Sequence, residues 1–594
     1  METSLLLGNE AIARGAWEAG VRVAAAYPGT PSTEIVANLA GYDGVYTEWS
    51  TNEKVAYEVA FGAAVGGVRA LTAMKSAGAN VAADPLVSSV YTGVNGALVV
   101  VVAGDPGMAS SSTEQDDRYF GRLAGIPILE PSDSQECKDF VGLALEVSET
   151  YDVPVMVRLT TQIAHSRSLV RLGKRVEVVR KDFERNAAKY CLLPGFAREL
   201  HVDLVERLAG LRTAADDGVL TRIEVGTGDF AGLGIIASGA AYLAAREAVP
   251  EASFLKLGLV NPLPIEVVRR FAAQVDRLLV VEELEPFLEE QILAAGVAVA
   301  GKRFFPSQGE LTPDRVGRGL RAAGFALPRW QEERSAPDAS VIPRPPVMCT
   351  GCPHRGMAMA MRRLDLDVNG DIGCYDLSCL PPISHMHTVI AMGASIGMAQ
   401  GHARAGGSAK GAIAVIGDST FLHSGLTGLV NAVHQMTNIT VVIQDNSITA
   451  MTGGQSHAGS ADTLAGAEST AVDLPAVCRA LGVRHVEIVD PYDYEACLAA
   501  LRSALAFEGP AVLITDRPCV LFPQKMGGEG AYAVDAELCN ACQQCMRLGC
   551  PSMHHTETLV KDRHTVAIDA ETCTGCSLCA QLCKPGAITK AGAG

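Results

Sequence analysis

The chain has 594 residues, 48% of them hydrophobic and 19% charged, with a formal net charge of −17. That length predicts about three to five domains with large cores, which excludes extended disorder. The acidic balance excludes nucleic acid or an anionic membrane as the principal partner. No apolar run reaches membrane-spanning length, and the opening METSLLLGNEAIARGA lacks a basic segment ahead of an apolar one. No membrane partner and a cytoplasmic location are therefore expected.

Residues 1–165 alternate apolar strands with helices, the pattern of a doubly wound α/β unit. VRVAAA reads as a strand, and YPGTPSTEI as a turn followed by a helix opened by Ser32 or Thr33. Thr30 there presents a hydroxyl beside free backbone N–H groups, as a ligand contact or as a simple helix cap. Glu53 starts a helix whose small residues, Ala56, Ala60, Gly62, Ala63 and Ala64, permit close backbone approach. A carboxylate at such an interface is costly unless it has a role, although an acid at a helix N-terminus is also favoured by the dipole. The Ser-rich, acidic loop from Met108 to Arg118 follows a buried strand, where open α/β sheets hold ligands. A surface pairing of Arg118 with Asp116 or Asp117 is the alternative.

Residues 166–225 are charged and irregular, as in a linker carrying helices. Residues 226–335 read as a compact βαβαβ domain. GTGDFAGLG within it superficially matches a dinucleotide loop, but it is read as not preceded by a strand and as leading into one, the wrong order, and is set aside. Glu282 and Glu283, at the end of the third strand, are expected to be solvated. WQEERSAPDASVIPRPPV is a Pro-rich linker.

Residues 345–525 form a second doubly wound pattern. It opens with Cys349-x-x-Cys352 before a helix, and a Gly- and Ala-rich helix follows from Gly393 to His402. The strand Ala412 to Ile416 then ends at Gly417-Asp418-Ser419. After a helix, the strand Ile439 to Ile443 ends at Asp445-Asn446. Two parallel strands joined by a helix place both loops at one sheet edge, so Asp418 and Asn446 should converge. A carboxylate, an amide oxygen and a loop carbonyl near Ile448 suit Mg2+, which takes few protein oxygens and completes its shell with phosphate and water. Gly417 lets the backbone approach a diphosphate. The stretch resembles the thiamine diphosphate motif; an ordinary βαβ unit with polar loop ends is the alternative.

Residues 530–594 hold two interleaved cysteine runs. Cys539, Cys542 and Cys545 precede Cys550-Pro551, and Cys573, Cys576 and Cys579 precede Cys583. In such pairs the fourth Cys of each run ligates the other cluster. One [4Fe-4S] cluster is thus expected on Cys539, Cys542, Cys545 and Cys583, and a second on Cys573, Cys576, Cys579 and Cys550. Four-thiolate zinc is the competing reading.

With YPGTPSTEI, NEKVAYEVAFGA, the EQDDR loop, CTGCPHRG, MGASIG and GDSTF in view, the chain resembles the 2-oxoacid:ferredoxin oxidoreductases over essentially its whole length. Together these motifs look like the alpha subunits of the indolepyruvate branch. The resemblance implies an α/β chain with two doubly wound thiamine diphosphate domains, pyrimidine-binding at 1–165 and diphosphate-binding at 345–525. A transketolase C-terminal-like α/β domain would lie between them at 226–335, and a ferredoxin-like α+β domain at 530–594. It implies Glu53 as the acid on the aminopyrimidine, Asp418 and Asn446 as Mg2+ ligands, and Thr30 and Arg118 near the substrate carboxylate. It implies a possible third [4Fe-4S] cluster on Cys349, Cys352, Cys374 and Cys519, although the opening reads CPHR where related pyruvate enzymes are acidic. It further implies coenzyme A, an aryl 2-oxoacid, external ferredoxin and a smaller beta subunit, with two of each subunit. Rival readings are another 2-oxoacid (phenylglyoxylate or branched-chain), a non-oxidative thiamine decarboxylase, and an electron-transfer subunit with a vestigial thiamine site.

Overall fold

The computed structural model describes residues 2–183, 185–215, 220–327, 344–406, 411–521 and 530–591. It divides into two compact units, Met1–Asp338 and Ala339–Gly594. Most of the Pro-rich stretch read as a linker lies outside the described residues.

In the first unit the strands are β1 (Thr3–Leu7), β2 (Val23–Ala26), β3 (Tyr46–Trp49), β4 (Arg69–Lys75), β5 (Ala97–Gly104), β6 (Ile128–Leu129) and β7 (Val155–Thr160). They continue with β8 (Arg167–Arg171), β9 (Thr221–Glu224), β10 (Leu233–Ala237), β11 (Ser253–Leu257), β12 (Leu259–Asn261) and β13 (Arg277–Val281). The main sheet has seven strands in the order β12-β6-β7-β5-β4-β2-β3. Every pair is parallel except β12–β6. β5, ALVVVVAG, is buried at every residue, the continuous apolar run of a strand covered on both faces. Helix Gly8–Glu18 lies against helix Ser134–Tyr151, and Gly15 permits the approach: a Cβ there would stand 2.3 Å from the Lys138 carbonyl oxygen. From β2 the chain steps outward to β3 and then returns across β2 to β4. The topological switch therefore falls between the carboxyl ends of β2 and β4.

The segment 166–225, expected as a linker, is built into the fold. β8 pairs antiparallel with β1, and β9 pairs antiparallel with β11. The helix Pro194–Ala215 buries Leu200, Leu204, Leu211 and Ala215, one stripe at helical spacing. The strand β9 does precede GTGDFAGLG, contrary to the sequence reading. The loop still runs strand to strand through the short turn Gly228–Phe230, with no helix to receive a phosphate.

β13, β10, β11 and β9 form a second sheet in that order. The boundary expected at 226 is no break in packing. β12, three residues long, leaves this region to join the main sheet, and Ile236, Leu255, Phe271 and Phe287 share one core with Leu98, Val100 and Tyr57.

The second unit carries β14 (Asp367–Gly370), β15 (Thr388–Val389), β16 (Ala412–Gly417), β17 (Ile439–Asp445), β18 (His485–Val489) and β19 (Ala511–Asp516). All pairs are parallel in the order β15-β14-β16-β17-β19-β18. The chain goes from β14 outward to β15 and back past it to β16, so the switch lies between β14 and β16. Four further strands make two antiparallel pairs: β20 (Tyr532–Val534) with β23 (Ile588–Lys590), and β21 (Met553–Val560) with β22 (Arg563–Ile568). This cysteine-rich end is no loose tail. Cys545, Leu548, Leu578, Cys579 and Ile588 share a core with Met357 and Met361 of helix His354–Leu364.

Candidate functional site

β16 ends at Gly417 and Asp418 opens the next helix, while β17 delivers Asn446 beside it. The N–H of Asn446 donates to Asp418 Oδ2 at 3.3 Å, and Ser419 N–H donates to Oδ1 at 2.8 Å. Asp418 is 3% exposed and Asn446 7%, so both polar groups depend on such partners. Ile448 N–H donates to Asn446 Oδ1 at 3.3 Å, and Thr449 Oγ1 donates to Ser419 Oγ at 2.9 Å. A Cβ on Gly417 would meet the Tyr375 ring at 2.9 Å, so the turn tolerates no side chain. Gly393, at φ 82°, opens its helix where a Cβ would lie 2.5 Å from Ser424 Cβ. Its N–H donates to buried Asp371 at the end of β14, at 2.8 Å. Asp418, Ser419, Asn446, Ile448 and Gly393 thus gather at the carboxyl edge of the sheet.

Three neighbours escaped the sequence reading. His457 Nε2 is 3.2 Å from Asp418 Oδ2. Burial alone would raise the Asp418 pKa, but the His457 hydrogen bond and charge and the Ser419 N–H hold it below the usual carboxylate range. Asp445 is pushed up to about 7 by burial, with the Asp418 charge adding to it. His354, buried and pushed down to about 4 by burial, meets the Asn446 amide. The one available signal for the histidines was their position: His354 directly after Cys352-Pro353, and His457 in the glycine-rich loop past Asn446.

In the first unit, Glu53 is buried at the head of helix Glu53–Val65, whose N-cap Asn52 accepts from Val55 N–H at 2.9 Å. Gly78 makes room for it: a Cβ there would stand 2.6 Å from Glu53 Oε1. Thr30 is half-buried after β2, its carbonyl accepting from Ser110 Oγ at 3.4 Å. Lys75, not anticipated, ends β4 at the switch point with its stem against Gly29 and its charge facing Asp105 and Glu53; burial lowers its pKa.

Arg118 does not have the expected role. It is 1% exposed, and four of its five N–H groups are engaged: Nε and Nη2 by Asp116, one on Nη1 by Glu282 at 2.8 Å, and Nη2 again by the Glu283 and Glu285 carbonyls. Only the second Nη1 hydrogen is left, inside a side chain closed off from solvent. Glu282 and Glu283, expected to be solvated, are 2% and 4% exposed. Glu282 accepts from Arg118 and from Leu288 and Glu289 N–H, and Glu283 accepts from Leu311 N–H.

The C-terminal cysteines line two hollows. Cys539, Cys542, Cys545 and Cys583 line one, and Cys550, Cys573, Cys576 and Cys579 line the other. That is the interleaved division expected from spacing. Burial pushes Cys545 up to about 11, with Cys583 and Cys542 adding, and Cys579 up to about 12, with Cys576, Cys550 and Cys573 adding. A third group forms as well. Burial pushes Cys352 up to about 12, with Cys374 and Cys349 among its neighbours, and Cys374 up to about 11, with Cys519 and Cys349 beside it. Among the described residues, no three His, Cys, Asp or Glu side chains converge tightly enough to grip a single ion.

Residues 371–515 match the family model described as Thiamine pyrophosphate enzyme, C-terminal TPP binding domain. Residues 14–200 match that described as Pyruvate flavodoxin/ferredoxin oxidoreductase, thiamine diP-bdg. No helix among the described residues is long and apolar enough to cross a membrane. A 2-oxoglutarate:ferredoxin oxidoreductase structure from Magnetococcus marinus aligns with 54% of this chain and 65% of its own, at TM-score 0.46 and 18% identity. The indolepyruvate oxidoreductase subunit IorA of Archaeoglobus fulgidus is 40% identical, covering 93% of each chain. That of Methanothermobacter thermautotrophicus is 41% identical over 99% of this chain and 97% of its own. With thiamine-binding matches in both units and identity at this level across nearly every residue, the chain belongs to the family of indolepyruvate oxidoreductase IorA subunits.

Proposed function

We propose that the chain is the alpha, catalytic subunit of an aryl-2-oxoacid:ferredoxin oxidoreductase that acts with a smaller beta subunit, two of each, in the cytoplasm. An aryl 2-oxoacid anion such as indolepyruvate and coenzyme A would yield the aryl-acetyl thioester, CO2, one proton and two electrons. The electrons would leave singly through iron–sulfur clusters to ferredoxin.

The observation that carries this reading is a main-chain hydrogen bond: Cys519 N–H donates to the Asn446 carbonyl at 3.1 Å. It ties a four-cysteine group to the loop that holds the cation-ligand pair, so the place where electrons are released adjoins a place that can take them. When bound, thiamine diphosphate supplies the nucleophilic carbon and the electron sink for loss of CO2. Asp418 Oδ, Asn446 Oδ1 and the Ile448 carbonyl would be the hard oxygen donors for its Mg2+. Gly417 keeps the backbone bare where the diphosphate approaches. Glu53 would hold the aminopyrimidine ring and exchange a proton with it. Lys75, at the switch point beside Glu53, replaces Arg118 as the cation for the substrate carboxylate.

The donor sets favour clusters over zinc. A zinc ion needs four sulfurs within about 2.3 Å of one point. The thiols instead stand four around each hollow, and among the described residues no three of them converge on one point. Cys349, Cys352, Cys374 and Cys519 are assigned a third cluster on the same chemistry.

Anaerobic co-purification with the beta subunit, followed by iron and thiamine analysis and a ferredoxin-reduction assay, tests the reading. Ferredoxin reduction that requires indolepyruvate and coenzyme A together is expected. Release of free aldehyde without acceptor reduction would overturn it in favour of a non-oxidative decarboxylase. Glu53→Gln should retain the cofactor and slow turnover by about 10^2–10^4-fold, the usual worth of a positioned acid–base group.

A further inference from the structure

Arg355 is buried, 2% exposed, in the first turn of helix His354–Leu364. Its donors meet only main-chain carbonyls: Nε that of Cys349 at 3.3 Å, Nη1 that of Leu548 at 2.5 Å, and Nη2 those of Met348 and of Cys349 at 3.2 Å. Among the described residues no carboxylate pairs with it. An uncompensated buried guanidinium is costly, and carbonyl dipoles repay only part of that cost.

Its surroundings indicate what completes the compensation. The thiols acting on it most strongly are, in order, Cys352, Cys550, Cys576 and Cys349, two from each of two cysteine groups. Those groups adjoin: Thr350 and Gly351, between Cys349 and Cys352, line the same hollow as Cys550, Cys573, Cys576 and Cys579. Ser552 Oγ donates to Thr350 Oγ1 at 3.2 Å, and the Tyr492 hydroxyl donates to the Gly351 carbonyl. Arg355 staples the segment before Cys352 to the Leu548 carbonyl, two residues before Cys550. It is a fixed cation in the wall between two sets of thiolates.

We propose that Arg355 is the shared counter-charge of these two cysteine groups, raising the reduction potentials of the clusters they hold and leaving the Cys539 group largely unaffected. This rests on the cluster reading above. Four thiolate ligands leave a cluster net-anionic, and one-electron reduction adds a further negative charge. A cation held at short range in a low-dielectric wall therefore stabilises the reduced form more than the oxidised one.

The test is an EPR-monitored redox titration of the anaerobically purified alpha–beta complex, wild type against Arg355→Gln and Arg355→Lys. In Arg355→Gln, the reduced-to-oxidised ratio at fixed potential should fall about tenfold for the two flanking clusters, about 59 mV for a one-electron couple. The Cys539 cluster should move less than a third as far, and Arg355→Lys, which keeps the charge, should stay near wild type. Unchanged potentials in an Arg355→Gln protein with full iron would overturn the role of Arg355 alone. Wild-type protein purified without iron would overturn the cluster reading itself. If Arg355→Gln does not accumulate, Arg355→Lys decides: wild-type potentials support the proposal, and a tenfold fall despite retained charge overturns it.

Discussion

His354 Nε2 lies 3.3 Å from the amide nitrogen of Asn446, with both side chains buried. The amide nitrogen can only donate, so His354 Nε2 accepts and the ring is neutral, its proton on Nδ1. The Ile448 N–H, which donates to Oδ1 at 3.3 Å, sets the flip of the Asn446 amide, and Oδ1 faces away from the histidine with a second lone pair for a ligand.

His354→Ala should therefore weaken Mg2+–thiamine diphosphate binding by about 10–100-fold, the usual effect of losing a partner that orients a ligand. Isothermal titration measures it, and unchanged affinity would refute the assignment. The same histidine makes stability depend on pH. Burial holds its pKa at about 4, below the ordinary value of 6.5. Between those values the unfolded chain binds a proton that the folded chain refuses, so stability falls as pH drops from about 6.5 and levels off near 4. The full effect is roughly 3 kcal/mol at 1.36 kcal/mol per pKa unit. His354→Gln should flatten that acid limb in a thermal-melt series.

Arg118 and Lys75 should separate cleanly by experiment. Removing Arg118 leaves Asp116 and Glu282 as unpaired buried anions, so Arg118→Ala should cost about 3–5 kcal/mol of stability. Its melting temperature should fall steeply, and the KM of surviving folded enzyme should change little. Lys75→Met removes a less enclosed charge at the sheet's switch point, so stability should hold while KM for the 2-oxoacid rises at least about tenfold, one charge-assisted contact's worth. A raised KM in Arg118→Ala with normal KM in Lys75→Met would reverse the assignment.

The cysteine groups make a counting prediction. At four irons per cluster, three clusters require roughly twelve irons per chain and two require roughly eight. Cys374→Ser or Cys519→Ser should lower the count by about four and leave the two C-terminal cluster signals in place. Wild-type chain holding about eight irons, unaltered by Cys374→Ser, would leave that group as structural thiols.

What could be read from the sequence depended on sequence distance. The meeting of Asp418 and Asn446 was legible because one βαβ unit produces it, and a strand–helix–strand has one sheet edge for both loops. The interleaving of Cys550 and Cys583 was legible because cluster spacing is local. Arg118 was not, because Glu282 lies 164 residues away and only β13 brings it there. Glu282 and Glu283 look like solvated strand-end acids until the Arg118 and Leu311 donors are placed. β8 and β9 were hidden by charge: RSLVR and TRIE are edge strands rich in charged residues, and β1, the partner of β8, lies far off in sequence. β12 was missed because three residues carry no periodicity.

His457 gives the prediction that couples this site to pH. Its Nε2 stands 3.2 Å from Asp418 Oδ2, both side chains at 5% exposure or less. Burial works to lower the His457 pKa, but the hydrogen bond to Asp418 and the charges of Asp418 and Asp445 raise it above the ordinary value. A raised histidine pKa stabilises the metal-free fold fully below the unfolded value and loses that contribution as pH rises through the folded one. Mg2+ would bind the same carboxylate and so compete with that hydrogen bond. At low pH it displaces an imidazolium and releases a proton; at high pH it displaces only a neutral ring. Cation affinity should therefore rise with pH through the His457 pKa, by at most about tenfold per unit for one proton, while the metal-free melting temperature falls over the same range. Asp445, held up near 7, loses its own proton in the same direction and leaves a residual slope. The measurement is Mg2+ titration calorimetry in two buffers of different ionisation heat, for wild type and His457→Gln. Proton release should drop by close to one His457 equivalent in the variant; equal release in both proteins would mean that His457 never stands where the cation binds.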